Sequence, residues 1–257
     1  PHASERDLEN AIEASAKGFS VWRNFTPLAR QAIFERAARL MESRAEKMAK
    51  TLTLEMGKPL SESKLEINFV IDVTRWYGEE GKRTYGRLVP SRIAGVRQMV
   101  TKEPVGPACA FVAWNFPGTN VIRKVAGALA AGCSMLIKPS EETPGTAVAI
   151  ARCFQEAGLP NGVLNLVFGV PDKVSQKILG SSIPKKMSFT GSIPVGKHLQ
   201  KLAAETMKRC TMELGGHAPV IVFEDADVEN ALNVCAAFKF RNAGQVCISP
   251  TRFFVQD

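Results

Sequence analysis

The chain has 257 residues, 45% of them hydrophobic, and 33 basic against 25 acidic side chains give a net charge of +8. That is enough apolar material for one large domain or two modest ones, which excludes global disorder, and no apolar run is long enough to span a membrane. Lys and Arg are dispersed among acids without aromatic interleaving, so the charge reads as a solvated surface open to anionic ligands rather than a nucleic-acid face.

The N-terminal Pro1-His2-Ala3-Ser4-Glu5-Arg6-Asp7 lacks the apolar core of a signal peptide. With no initiator Met, the chain is expected to begin inside a longer protein or after processing. Residues 1–84 read as helical. Ile33, Ala37, Leu40, Ala45, Met48 and Leu52 recur at helical spacing, as do Ile67, Val70, Ile71, Thr74 and Tyr77. Gly57-Lys58-Pro59 separates these two long helices. A strand is predicted from Val96 to Lys102. From Gly106 strands and helices alternate: strand 106–113, helix 119–131, strand 134–138, helix 145–157, strand 164–168, helix 173–179, strand 187–190, helix 195–205 and strand 210–214. Pro219–Phe223 is another strand, Asp227 can cap a helix through Ala237, and Arg252–Val255 is again strand-like.

Such alternation with short connections predicts an α/β fold, a Rossmann-like parallel sheet covered by helices on both faces. Ligands on these sheets bind beyond the C-terminal ends of the strands. Four conspicuous residues, Asn115, Lys138, Gly191 and Glu213, fall at or just after predicted strand ends.

Cys247 closes the glycine-containing turn Gly244-Gln245-Val246-Cys247. A thiolate there is a strong nucleophile and a good leaving group; the alternative is a buried free cysteine, the reading given to Cys109, Cys133, Cys153, Cys210 and Cys235. None of the six forms a C-x-x-C, so reduced thiols and a cytoplasmic location are expected. His2, His198 and His217 are scattered, and no metal site is predicted. Glu213, before Gly215-Gly216, is either a base whose pKa burial would raise or a carboxylate held by the turn's N–H groups. Asn115, in Trp114-Asn115-Phe116-Pro117, is either an oxyanion donor or a turn cap. Lys138 and Glu141 flank a proline turn and could equally be two solvated charges. No G-x-G is present. Gly191-Ser192-Ile193-Pro194-Val195-Gly196-Lys197-His198 nearly matches a triphosphate-binding loop, but His198 stands where a Ser or Thr should ligate magnesium. Arg123 lies six residues after Pro117 and Arg241 six before Cys247.

Together, Trp114-Asn115-Phe116-Pro117, Lys138-Pro139-Ser140-Glu141, Phe189-Thr190-Gly191-Ser192, Met212-Glu213-Leu214-Gly215-Gly216 and Gly244-Gln245-Val246-Cys247 resemble the aldehyde dehydrogenase superfamily, most of all its succinate semialdehyde dehydrogenases. The resemblance covers nearly the whole chain. It implies oxidation of an aldehyde to a carboxylate, with Cys247 as nucleophile and Glu213 as base for thioester hydrolysis. Asn115 and the backbone N–H of Cys247 would form the oxyanion hole. It assigns Trp114, Lys138, Ser140, Glu141, Gly191, Ser192 and Leu214 to the cofactor. Lys138 and Glu141 would hold the adenine-side ribose, and Gly191-Ser192 would set the pyrophosphate on a helix N-terminus. Glu141 would repel a 2′-phosphate, favouring NAD while leaving NADP possible. Arg123 and Arg241 would grip a substrate carboxylate. Ser249, where some relatives carry a second Cys, implies no disulfide switch.

Family members are about twice this length. The resemblance therefore implies a cofactor domain at 1–215, the start of a truncated catalytic domain at 216–257, and a homo-oligomeric parent enzyme. Two alternatives stay open: a P-loop-like ATPase, and a catalytically incompetent cofactor-binding fragment.

Overall fold

Helix α1 (Glu5–Trp22) starts where Ser4 and Asp7 form a reciprocal capping box. The structure is a computed structural model describing residues 2–257. Thr26 caps α2 (Pro27–Ser43), with proline at the first helical position, where its missing N–H costs nothing. Helix α3 (Ala45–Met56) ends at Gly57, whose φ of 85° lies in the left-handed region, and α4 (Leu60–Glu80) follows Pro59. The predicted break at Gly57-Lys58-Pro59 is there, but residues 2–84 hold four α-helices rather than two long ones. The helical period runs straight through the second break, where only Arg44 leaves the helical region while its guanidinium forks onto Glu156.

Strands β1 (Arg87–Pro90) and β2 (Arg97–Val100) form an antiparallel hairpin. Only the second was predicted. The first is mostly exposed and lacks the alternation that burial imposes. The body of the chain is β3 (Ala108–Phe111), α5 (Pro117–Ala130), β4 (Met135–Lys138), α6 (Pro144–Glu156), β5 (Leu164–Leu166), α7 (Pro171–Gly180), β6 (Lys186–Gly191), α8 (Ile193–Ala204) and β7 (Arg209–Leu214). All five strands are parallel, in the order β5-β4-β3-β6-β7.

This order positions the site. The chain leaves β3 in one direction through β4 and β5, then returns to the other side at β6. The reversal opens a crevice between β3 and β6 at their C-terminal ends. The sheet is covered on both faces. Ala108, Ala110, Met135 and Ile137 face a core with α2–α6. Cys109, Phe111, Leu136, Met187 and Phe189 face one with α1, α7 and α8. Strand β7 is one of the sheet's two edges, opposite β5, and its residues alternate between exposed and half-buried.

Beyond it, β8 (Ala218–Val222) and β9 (Pro250–Val255) form a separate parallel pair. Asp227 caps α9 (Val228–Phe240), accepting from the Asn230 N–H. This helix buries no residue, and Leu232, Phe238 and Phe240 are exposed. No helix among the described residues is long and apolar enough to cross a membrane. Nor does any group of three or more His, Cys, Asp and Glu converge as a metal site there.

Candidate active site

The C-terminal ends of β3, β4, β6 and β7 and the loop 244–247 enclose a cavity of about 900 Å³. Ten of the twelve residues singled out in the sequence line it. Trp114 and Asn115 come from the end of β3, and Lys138, Ser140 and Glu141 from the end of β4. Gly191 and Ser192 come from the β6–α8 junction, Glu213 and Leu214 from β7, and Cys247 from the loop. The other two, Arg123 and Arg241, do not line it. Arg123 is exposed on α5, its guanidinium 5.2 Å from the Phe69 ring. Arg241 lies 5.0 Å from the Phe238 ring, and its Nε is buried with no hydrogen-bond partner among the described residues.

On one side of the cavity Lys138 is buried and ion-paired with the exposed Glu141, so of these two charges only the carboxylate is solvated. Helix N-termini attract anions because their first N–H groups lack partners. Two nearby N-termini are already satisfied. Glu66 accepts from the N–H of Gly118 and of Thr119 on α5, both at 2.8 Å. Glu55 accepts from Gly145 and Thr146 on α6. Helix α8, by contrast, has Ser192 at its N-cap with no side-chain cap, and it opens on the cavity. Its close approach depends on small residues: a Cβ at Gly196 would lie 2.8 Å from Leu214 Cδ2. The Gly196 N–H already donates to the Ser192 carbonyl at 2.9 Å. Residues 193–197 are therefore helix, which leaves no open loop to wrap a triphosphate and removes the structural basis of the P-loop reading.

The other side carries the thiol of Cys247, the amide of Asn115 and the carboxylate of Glu213. Cys247 is the one exposed thiol of the six. Cys109, by contrast, is fully buried, and burial pushes its thiol up to about 12. Cys247 follows three successive left-handed residues, Asn242, Ala243 and Gly244, with φ of 56°, 54° and 77°. Asn115 Nδ2 donates to the Gln245 carbonyl at 3.0 Å, and its Oδ1 accepts from Asn120 Nδ2 at 3.3 Å. The amide thus retains one N–H free to point into the cavity. Glu213 is exposed rather than buried. The reason is its place on an edge strand.

Sequence reading missed Lys124. It sits on α5 among buried Val121, Ile122 and Val125, and its Nζ donates to Ser188 Oγ at 3.0 Å. A lysine inside that apolar stretch was the available signal. Burial pushes its pKa down from 10.5 to about 8, while the Glu213 carboxylate pulls the other way. The cost of keeping this ammonium charged is in full force below about pH 8 and fades as pH rises towards 10.5. Lys124→Met is expected to stabilise the fold at pH 7 by on the order of 2 kcal/mol, after allowing for the lost hydrogen bond. The gain should shrink by pH 10. Urea titrations at both pH values test this, and an equal gain at both would show that Lys124 does not titrate in this range.

The chain matches the aldehyde dehydrogenase family over residues 1–257. It is 47% identical to a 4-(hydroxymethyl)benzenesulfonate dehydrogenase of Comamonas testosteroni, over 98% of this chain and 53% of the relative. It is 40% identical to an NADP(+) succinate-semialdehyde dehydrogenase of Escherichia coli, over 100% of this chain and 53% of that enzyme. The crystal structure of a succinate-semialdehyde dehydrogenase from Burkholderia pseudomallei superimposes with a TM-score of 0.97 at 43% identity, covering 99% of this chain and 53% of that one. The chain thus spans about half the length of the relatives it matches.

Proposed function

The chain belongs to the aldehyde dehydrogenase family, and from that premise we propose that it supplies the cofactor cradle and the nucleophile for NAD(P)-dependent oxidation of an aldehyde to a carboxylate. One observation carries the reading. A single cavity joins the unfilled N-terminus of α8 and the Lys138–Glu141 pair to the exposed thiol of Cys247, the amide of Asn115 and the carboxylate of Glu213.

The donor set fits a dinucleotide. Uncapped N–H groups at Ser192 and α8 suit a pyrophosphate, and Trp114 and Leu214 offer apolar surface beside it. The Lys138 charge is already balanced by Glu141, leaving no net positive charge to receive a 2′-phosphate. NAD is therefore the preferred cofactor in this reading, although the Escherichia coli relative's name specifies NADP(+). When bound, the dinucleotide accepts the hydride.

The chain's own residues do the rest. Cys247 Sγ, as the thiolate, forms a C–S bond to the aldehyde carbon, and the carbonyl π electrons move onto oxygen. The free N–H of Asn115 and the backbone N–H of Cys247 stabilise that oxyanion. Loss of hydride leaves a thioester on Cys247. Glu213 removes one proton from water as the water attacks, the C–S bond breaks, and the carboxylic acid and thiolate separate, the acid releasing its remaining proton to solvent. Residues 1–215 form the cofactor-binding body in this reading, and 216–257 open the unit that brings the thiol to it.

The substrate we propose carries an anion remote from its aldehyde. Neither Arg123 nor Arg241 lines the cofactor cavity. Arg123 stacks on Phe69 of α4, and the residue after Arg241 donates its backbone N–H to Glu62, also on α4. Substrate would thus approach the thiol from the side opposite the dinucleotide. Succinate semialdehyde is the leading candidate. A sulfonated aldehyde is the second reading, favoured by the name of the Comamonas relative.

NADH formation in the intact enzyme, with NAD and NADP, tests the proposal using succinate semialdehyde, a sulfonated aldehyde and butanal. Arg123→Ala or Arg241→Ala should weaken kcat/KM for the anionic aldehydes by about 1.5–3 kcal/mol per lost charged hydrogen bond and leave butanal nearly unchanged. Equal losses on all three would remove the arginines from substrate recognition. No NADH with any of them would remove the dehydrogenase reading.

A further inference from the structure

The turn between α3 and α4 places Lys58 in the interior, where only 2% of it is exposed, and pairs it with Glu66, which is 5% exposed. Burying two charges is costly, and apolar replacements of similar size often do as well, so stability alone does not account for the pair. What each partner does with its remaining bonding capacity is more informative. Glu66 Oε1 accepts from Gly118 and Thr119 and so fixes the start of α5, immediately after Asn115. Lys58 Nζ sits 4.8 Å from the Phe116 ring centroid and donates to Asn242 Oδ1 at 2.9 Å.

That last bond decides which way the Asn242 amide points. An ammonium can only donate, so Asn242 must turn its oxygen to Lys58 and its nitrogen the other way. Its Nδ2 then donates to the carbonyls of Asn115, at 2.8 Å, and of Gln245, at 3.1 Å. Its backbone N–H donates to Glu62 Oε2 at 2.5 Å. Asn242 is 1% exposed and left-handed, as is Ala243, conformations that persist only where surroundings over-determine them. A flipped amide would set its oxygen against two carbonyl oxygens.

We propose that Lys58, Glu66 and Asn242 form a buried brace that holds the loop of Cys247 against Asn115, making all three positioning residues for the thiol. The proposal deepens the dehydrogenase reading and rests on it for the thiol's role. The brace itself is a property of the chain that can be measured without turnover.

Two variants separate positioning from folding. Asn242→Asp is isosteric, tolerates the left-handed backbone and keeps an acceptor for Lys58, but removes both donors to the Asn115 and Gln245 carbonyls. The double variant Lys58→Met, Glu66→Gln removes the charges together, so neither is stranded, and the amide introduced at position 66 still offers an oxygen to α5. Hydrogen exchange of residues 243–249 and the site-resolved rate and pH profile of Cys247 alkylation by iodoacetamide are measured for each, alongside NAD binding by calorimetry. The brace predicts at least tenfold faster loop exchange and at least a threefold change in alkylation rate, with NAD affinity within twofold of wild type. In the intact enzyme it predicts a lower kcat with unchanged KM for the cofactor. Wild-type exchange and alkylation in Asn242→Asp would overturn the brace, as would a double variant that loses only thermal stability. A protein lacking dehydrogenase activity but showing the loop effects would retain the brace and lose the dehydrogenase reading.

Discussion

Replacing Cys247 by serine is expected to abolish both the pre-steady-state burst of NADH and steady turnover of the intact enzyme. The loss should be at least about 10³-fold, on the order of 4 kcal/mol of barrier. A serine hydroxyl is not ionised near neutral pH, and nothing in the loop stands ready to deprotonate it. No other cysteine can substitute: Cys109, Cys133 and Cys153 are buried and Cys210 and Cys235 partly so. Glu213→Gln should behave differently, keeping the first burst while slowing thioester hydrolysis, because the amide cannot take a proton from water. Stopped-flow absorbance separates the two phases. Persistent turnover in Cys247→Ser, or loss of the burst in Glu213→Gln, would reverse these roles.

A second large effect is expected far from the thiol. Gly18→Ala should cost about 3 kcal/mol of stability or more, at the upper end for overpacking. A Cβ there would fall 2.2 Å from the Gly162 carbonyl carbon, 2.3 Å from its oxygen and 2.5 Å from the Val163 nitrogen. All three are backbone atoms, so no side chain can rotate out of the way. Helix α1 docks on the turn before β5 by direct backbone contact, and beside it the Ser134 hydroxyl donates to the Ser15 carbonyl at 2.7 Å. Gly180→Ala, at the end of α7 with open space around it, is the matched control and should stay within about 0.5 kcal/mol. Urea midpoints decide the comparison. A loss at Gly18 no larger than the control would mean that α1 does not dock in this way.

These cases show what local pattern can and cannot carry. The strands and helices from Gly106 onward could be read because each repeats a short period, and Asn115, Lys138, Gly191 and Glu213 could be placed because strand ends follow from that period. Gly18 left no trace, since its constraint comes from Gly162, in a turn far along the chain. Lys58 looked like part of a helix break, and nothing local says that it meets Asn242. The exposure of Glu213 depends on the sheet order, which makes β7 an edge. Alternation in sequence does not say which strand ends up outermost. The break at Arg44 was hidden because one residue can leave the helix without disturbing the apolar spacing around it.

The distances along the chain between bonded partners also set an order of assembly. Lys58 and Asn242 are 184 positions apart, Glu62 and Asn242 180, and Asn115 and Gln245 130. Closing such loops is entropically expensive, so contacts of this span form after the local helices and neighbouring strands have reduced the search. On the ribosome, α1 through β6 can settle while the segment around Asn242 is still being made. The thiol loop is then clamped after the strands and helices it rests on. A molecule caught before that closure carries a cysteine free to react but not yet aligned with the groove it serves.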